Sequence, residues 1–174
     1  MDVIDNSEDL LPVINEKGEV TGTAPRSVCH DGESKLLHPV IHLHVFDPEG
    51  RLFLQKRAMS KDIQPGRWDT SVGGHVDPGE SVEEALARET IEETGLAGLK
   101  PEFITLYIWE SEVEREMVHS YYTVTDRIPV TDPTEVSEGR FWTMDEIEAS
   151  VGKGVFTPNF EHEFPFIESF SPQP

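Results

Sequence analysis

The stretch GGHVDPGESVEEALARETIEETGL, Gly73 to Leu96, leaves this chain few ways to fold. A glycine-rich turn runs into a helical segment with five glutamates between Glu83 and Glu93, both ends counted. Ser81 is a natural N-cap, with Glu84 at capping-box spacing, and Gly95 is a natural helix stop. At about 100° per residue, Val82, Ala85 and Leu86 form one apolar stripe. Extended by two more turns, the same stripe arrives at Glu89 and Glu93. Glu92 lies one row aside, near the azimuth of Ala85, while Glu83, Glu84 and Thr94 point elsewhere.

A solvated acidic helix carries its acids opposite the apolar stripe, as Glu83 and Glu84 do here. Glu89 and Glu93 instead share the face meant for the interior. Like charges at i,i+4 repel, and partial burial raises the cost. Arg88 reaches Glu84 or Glu92 at i±4 but lies too far round to serve Glu89 and Glu93 both. A divalent cation would serve Glu89, Glu92 and Glu93 together, and magnesium takes oxygen ligands of this kind.

Charge narrows the partners. The 174 residues carry a net charge of −20 with only 14 Lys and Arg. Nucleic acid and anionic membranes are thereby disfavoured, because both are bound by neutralising phosphates. A small phosphorylated ligand fits if divalent cations bridge the two negative partners. No apolar run approaches the ~20 residues that span a bilayer. The opening MDVIDNSEDLLP lacks the basic-then-apolar order of a signal peptide. Cys29 is the single cysteine and reads as an inert thiol, so a cytoplasmic location is expected. The length suits one domain, 1–174, and leaves the oligomeric state open, a homodimer included.

The remaining elements predict a mixed α/β domain. LPVINEKGEVTGTAPR reads as a hairpin within an N-terminal extension over residues 1–30. PVIHLHVFD alternates Ile41, Leu43 and Val45 against His42, His44 and Phe46, and pairs through the DPEG turn with RLFLQKRA as an antiparallel hairpin. WDTSVGGHV is a short strand entering the glycines. EFITLYIWESE and EMVHSYYTVTD are further strands, followed by a loop, a short strand and a helix starting near Thr143. Residues 155–174 mix Pro with Phe without a clear period and read as a tail that docks as a short helix.

Gly74, Glu80 and the run RETIEETGL from Arg88 to Leu96 resemble the Nudix box, G-x5-E-x7-R-E-U-x-E-E-x-G-U, where U is bulky and apolar. Every fixed position is present, and one U position holds Thr90. The resemblance implies an α/β/α sandwich with a mixed β-sheet. It also implies hydrolysis of a small diphosphate-containing substrate with Mg²⁺ or Mn²⁺. Glu89, Glu92 and Glu93 would face the metal, the Gly74 carbonyl would add a ligand, and Glu80 with Arg88 would brace the loop and helix. Glu92 and Glu135 are both candidates for the base that takes a proton from the attacking water, and Glu93 belongs to the same catalytic set.

Two longer segments, EKGEVTGTAPRSVCHDGESKLLHPV and RLFLQKRAMSKDIQPGRWDTSVGGH, resemble isopentenyl-diphosphate isomerase and the hydrolases related to it. By that resemblance His30, His38, His75, Glu114 and Glu116 would form a second metal site, and Arg57 and Lys61 would hold the diphosphate. The bland alternatives are ordinary strand histidines and surface basic residues. Gly73 stands where the isomerase carries its proton-donating cysteine, and the box carboxylates are complete. Both departures favour a pyrophosphohydrolase acting on a nucleoside di- or triphosphate or another diphosphate-linked metabolite. An isomerase and a non-catalytic nucleotide-binding module are the alternatives. Trp68, Tyr107, Trp109 and Trp142 either stack on a base or belong to the core.

Overall fold

The computed structural model describes residues 9–61 and 63–173; the segment 1–8, on which much of the signal-peptide argument rests, lies outside them. Strands β1 (Leu10–Ile14) and β2 (Val20–Pro25) form the expected N-terminal hairpin. Its turn uses Gly18 at φ 83° and the Asn15 side chain, which accepts from the Lys17 and Glu19 N–H groups. A one-turn helix, α1 (Arg26–Cys29), follows where the sequence offers no periodic signal. Cys29 is fully buried beneath the hairpin with Leu11 and Ala24, and burial pushes its thiol pKa up, as expected of an inert thiol.

The main sheet is mixed. Strand β3 (Leu37–Phe46) runs parallel to β8 (Arg115–Val124) from Leu37↔Arg115 to Phe46↔Val124, and β7 (Glu102–Glu110) closes that edge antiparallel to β8. Strand β4 (Leu52–Arg57) pairs with β5 (Trp68–Asp69) and β9 (Val136–Trp142). The hairpin expected between β3 and β4 is met only at its base, Phe46↔Leu52. Beyond that pair β6 (Val72–His75) takes the edge of β3 from Val40 to Leu43. The glycine strand thus wedges into the opened hairpin, setting Gly73 beside His42 and Gly74 beside Ile41.

Helices cover both faces, so the fold is an α/β/α sandwich. Every residue of β3 is buried, which is what a central strand between two helical layers requires. Ile41, Leu43 and Val45 pack with Ala85 and Leu86 of helix α2 (Val82–Thr94). Phe46 faces the other layer, made by α3 (Met144–Ser150) and α4 (Pro158–Glu168). The docked tail is a core element: Phe160, Phe164 and Ile167 recur at i, i+4 and i+7, and each is buried. Exposed Phe166 and Phe170 and the internal Pro165 mask that period in the sequence. No helix among the described residues is long and apolar enough to cross a membrane.

Helix α2 starts as expected, with Ser81 Oγ accepting from Glu84 N–H at 3.1 Å, and stops at Gly95 with φ 72°. The reciprocal arm of a capping box is made at α3, between Thr143 and Glu146. Thr94, expected off the buried face, is fully buried. The chain returns over it, and Val130 N–H donates to its carbonyl at 2.9 Å. Thr90 and Thr94 satisfy their buried hydroxyls by donating to the carbonyls four residues back.

Candidate active site

The two inward glutamates of α2 meet at the glycine strand. The Glu89 side chain is 15% exposed, and its carboxyl is hydrogen-bonded to that of Glu93. Burial first, then the neighbouring Glu89 charge, raises the Glu93 pKa to about 9, against an opposing hydrogen bond from the Gly73 backbone. Burial likewise raises Glu89, although Arg88 donates to it at 2.7 Å. A Cβ on Gly74 would meet Glu89 Cγ and Oε1 at 2.6 Å, so only glycine admits the carboxylate here. Two carboxyl groups whose pKa values burial raises, with oxygen donors converging on a backbone cradle, suit a hard divalent cation. Glu92 is 58% exposed, pointing along the open rim of the same cavity of about 440 Å³.

The brace between Glu80 and Arg88 is present and two-pronged, Nε–Oε2 and Nη2–Oε1 both at 2.9 Å. Arg88 also donates to the His75 carbonyl at 3.0 Å, which ties the helix to the end of β6. The pairing expected of Arg88 at i±4 is made weakly with Glu92, at 3.5 Å. Its stronger bonds run to Glu80 and Glu89, because the glycine loop folds back across the helix.

Arg57, Lys61 and Glu135 line the same cavity. Lys61 is paired with Glu135 at 2.9 Å, both partly exposed at the mouth. Arg57 donates to the Ile63 carbonyl and lies 3.7 Å from Asp69. Arg26 and Asp69, which the sequence did not single out, line both this cavity and a wider one of about 780 Å³ beside it. Arg26 comes from the one-turn helix, which carries no periodic signal. Of the aromatics, Trp68 and Trp142 meet edge to face in the core, whereas Trp109 lines the wider cavity. Tyr107 accepts from Asn159 at 2.9 Å.

His30, His75 and Glu114 line the wider cavity, and fully buried His38 joins them. His30, His38, His75 and Glu114 each place a ligand atom within 4.8 Å of the others. His30 Nε2 lies 2.5 Å from Glu114 Oε2, and His38 Nε2 lies 3.5 Å from it. His75 Nε2 is buried without a hydrogen-bond partner among the described residues. Burial, then Arg26 and the other two histidines, depress its pKa to about 3, leaving a bare nitrogen lone pair. Burial would raise Glu114, but His30 and His38 hold it at about 2. Such nitrogen-rich donors with one carboxylate suit a transition ion. Glu116, expected with them, lies outside the four-atom group: it pairs in register with His38 on β8, whereas Glu114 sits in the preceding turn. Glu116 lines the cavity, its pKa raised to about 7 by burial and then by Glu114.

A second buried group passed unnoticed in the sequence. His42, His44 and Glu163 converge within 4.8 Å, and Glu163 is fully buried. The alternation of β3 carries the two histidines to the α4 face, and only the helical period of the tail could have placed Glu163 opposite them.

A family model described as NUDIX domain matches residues 36–160. An isopentenyl-diphosphate Delta-isomerase of Streptomyces griseus is 34% identical over 157 residues, covering 87% of this chain and 79% of the relative. An uncharacterized Nudix hydrolase of Listeria monocytogenes is 34% identical over 160 residues, covering 85% and 88%. In fold, the chain is similar to the crystal structure of DR0079 from Deinococcus radiodurans, with TM-score 0.75 and 24% identity over 88% of this chain and 96% of that one.

Proposed function

The chain belongs to the Nudix family, and from that premise we propose that it is a hydrolase, a metal-dependent pyrophosphohydrolase. Its substrate in this reading is a nucleoside di- or triphosphate or another diphosphate-linked metabolite, met in the cytoplasm. The observation that carries the reading is the Glu89–Glu93 pair, held together against its own repulsion at the glycine cradle. Glu89, Glu92, Glu93 and the Gly74 carbonyl would hold Mg²⁺ or Mn²⁺, which when bound neutralises developing charge and acidifies water. Arg57 and Lys61, with Arg26, would orient the phosphates from the opposite wall. Glu92 or Glu135, both at the open mouth, would take the proton of the attacking water. His30, His38, His75 and Glu114 would hold a second ion.

The test is release of phosphate or nucleotide products from a diphosphate panel with Mg²⁺, comparing wild type with Glu93→Gln. Metal-dependent turnover lost in the variant supports the reading; equal turnover ends it. The histidine set and the isomerase relatives favour a second reading, isopentenyl-diphosphate isomerisation. Against it stands Gly73, which brings no proton donor to that position. A double-bond shift in isopentenyl diphosphate, followed by NMR, would reverse the preference.

A further inference from the structure

His42 is the residue whose surroundings the proposed hydrolysis leaves unexplained. Its Nδ1 lies 3.2 Å from Glu163 Oε2 and 3.3 Å from Oε1. The same carboxylate takes His44 Nε2 at 2.8 Å. Removing an ion pair from water costs several kcal/mol per charge, and an apolar core of the same volume is often as stable. The opposite edge of the ring offers a reason. Cδ2 of His42 lies 3.6 Å from where a Gly73 Cβ would stand, and the residue keeps 8% exposure on the wall of the wider cavity. Gly73 itself lies between that ring and Glu93, to which its backbone is hydrogen-bonded.

Resting on the reading of the cleft as a diphosphate site, we propose that His42 is a substrate-binding residue: clamped through Nδ1 by Glu163, it donates its Nε2–H to a phosphate oxygen lying over Gly73. Glu163 is the positioning residue, carried in by α4. The groups facing His42 are Glu163 from α4, His44 on β3 itself, Asp69 from β5 and Glu116 from β8. Burial alone would lower its pKa, but Glu163 outweighs it and brings the value to about 9, so the ring stays cationic through neutral pH. A metal held by His42, His44 and Glu163 fits less well. Both rings already lie at hydrogen-bonding distance from the carboxylate, and His44 Nδ1 is buried without a partner among the described residues, whereas a metal-bound imidazole needs its other nitrogen satisfied.

The probe is methylenediphosphonate with Mg²⁺, whose binding to wild type and His42→Gln is measured by calorimetry. Loss of a charge-assisted donor predicts about 10- to 100-fold weaker binding in the variant. Equal affinity overturns the role of His42 and leaves the diphosphate reading standing; no binding by wild type removes both. Should His42→Gln not fold, ¹⁵N-histidine spectra of wild type decide: the His42 Nε2 resonance moves on adding the probe, and an unmoved resonance overturns the proposal. Glu163→Gln returns the ring toward its ordinary pKa. Binding by that variant is then expected to weaken from about pH 6 to 8, where wild type holds steady. Parallel pH profiles would count against the clamp.

Discussion

The Glu89 carboxyl fills the space that a side chain on Gly74 would need: a Cβ there would stand 2.6 Å from both Glu89 Cγ and Oε1. Gly74 is not in the left-handed region, so its backbone tolerates any residue and the constraint is spatial. Gly74→Ala is therefore expected to fold but to push Glu89 aside. A misplacement of about 1 Å costs on the order of 100-fold in rate. Hydrolysis assays paired with circular dichroism check this; a folded Gly74→Ala enzyme with unchanged Mg²⁺-dependent turnover would refute it.

Glu93 makes the metal-free protein sensitive to base. Its folded pKa, about 9, lies above the ordinary carboxyl value of 4.5. Stability of the metal-free fold therefore falls as pH rises through the interval between them. Glu93→Gln is expected to melt higher than wild type at about pH 8 without cation, each kcal/mol being worth about 2–4 °C. With Mg²⁺ the order should invert, because the variant lacks one of the carboxylates proposed to hold the ion and binds it more weakly. Scanning calorimetry with and without Mg²⁺ reads both signs, and a variant less stable than wild type in chelator would contradict the account.

Glu80 braces the loop and also occupies Arg88. Its pKa is lowered, chiefly by the Arg88 hydrogen bond, so its contribution is present above 4.5 and fades as pH falls below that value. Glu80→Ala should cost about 1.5–3 kcal/mol near neutrality, and the gap from wild type should close in acid. Arg88, freed to pull on Glu89, should raise the Mg²⁺ concentration needed for half activity. Urea titrations at two pH values and a metal titration test the pair of effects.

The histidine set should carry its own ion. Wild type exposed to Zn²⁺ or Mn²⁺ and dialysed is expected to retain more metal than His75→Ala, measured by elemental analysis. A chelator should remove it with loss of thermal stability. Equal metal content in both proteins would dismiss the site.

Periodicity and the box made most of this readable. The stripe from Val82 carries Glu89 and Glu93 inward because α2 has one buried face, whereas Glu92, expected near the azimuth of Ala85, is exposed and Thr94 is buried. The hairpin of β3 and β4 forms only at its base, since nothing local announces that β6 will insert between them. Arg26 and Asp69 reach the cleft from elements too short to show a period. The role of α4 was hidden by Phe residues on both its faces, and without its period nothing local marks Glu163 as a buried residue.

His30, His38, His75 and Glu114 belong to four separate stretches of chain, joined only once β6 and β8 have seated against β3. An unfolded chain has no such meeting point. Any ion captured there acts as a late rivet, adding RT ln(1 + [M]/Kd) to the native state alone. Uptake of that ion during refolding would thus time the seating of the central strands, independently of any chemistry the cleft performs.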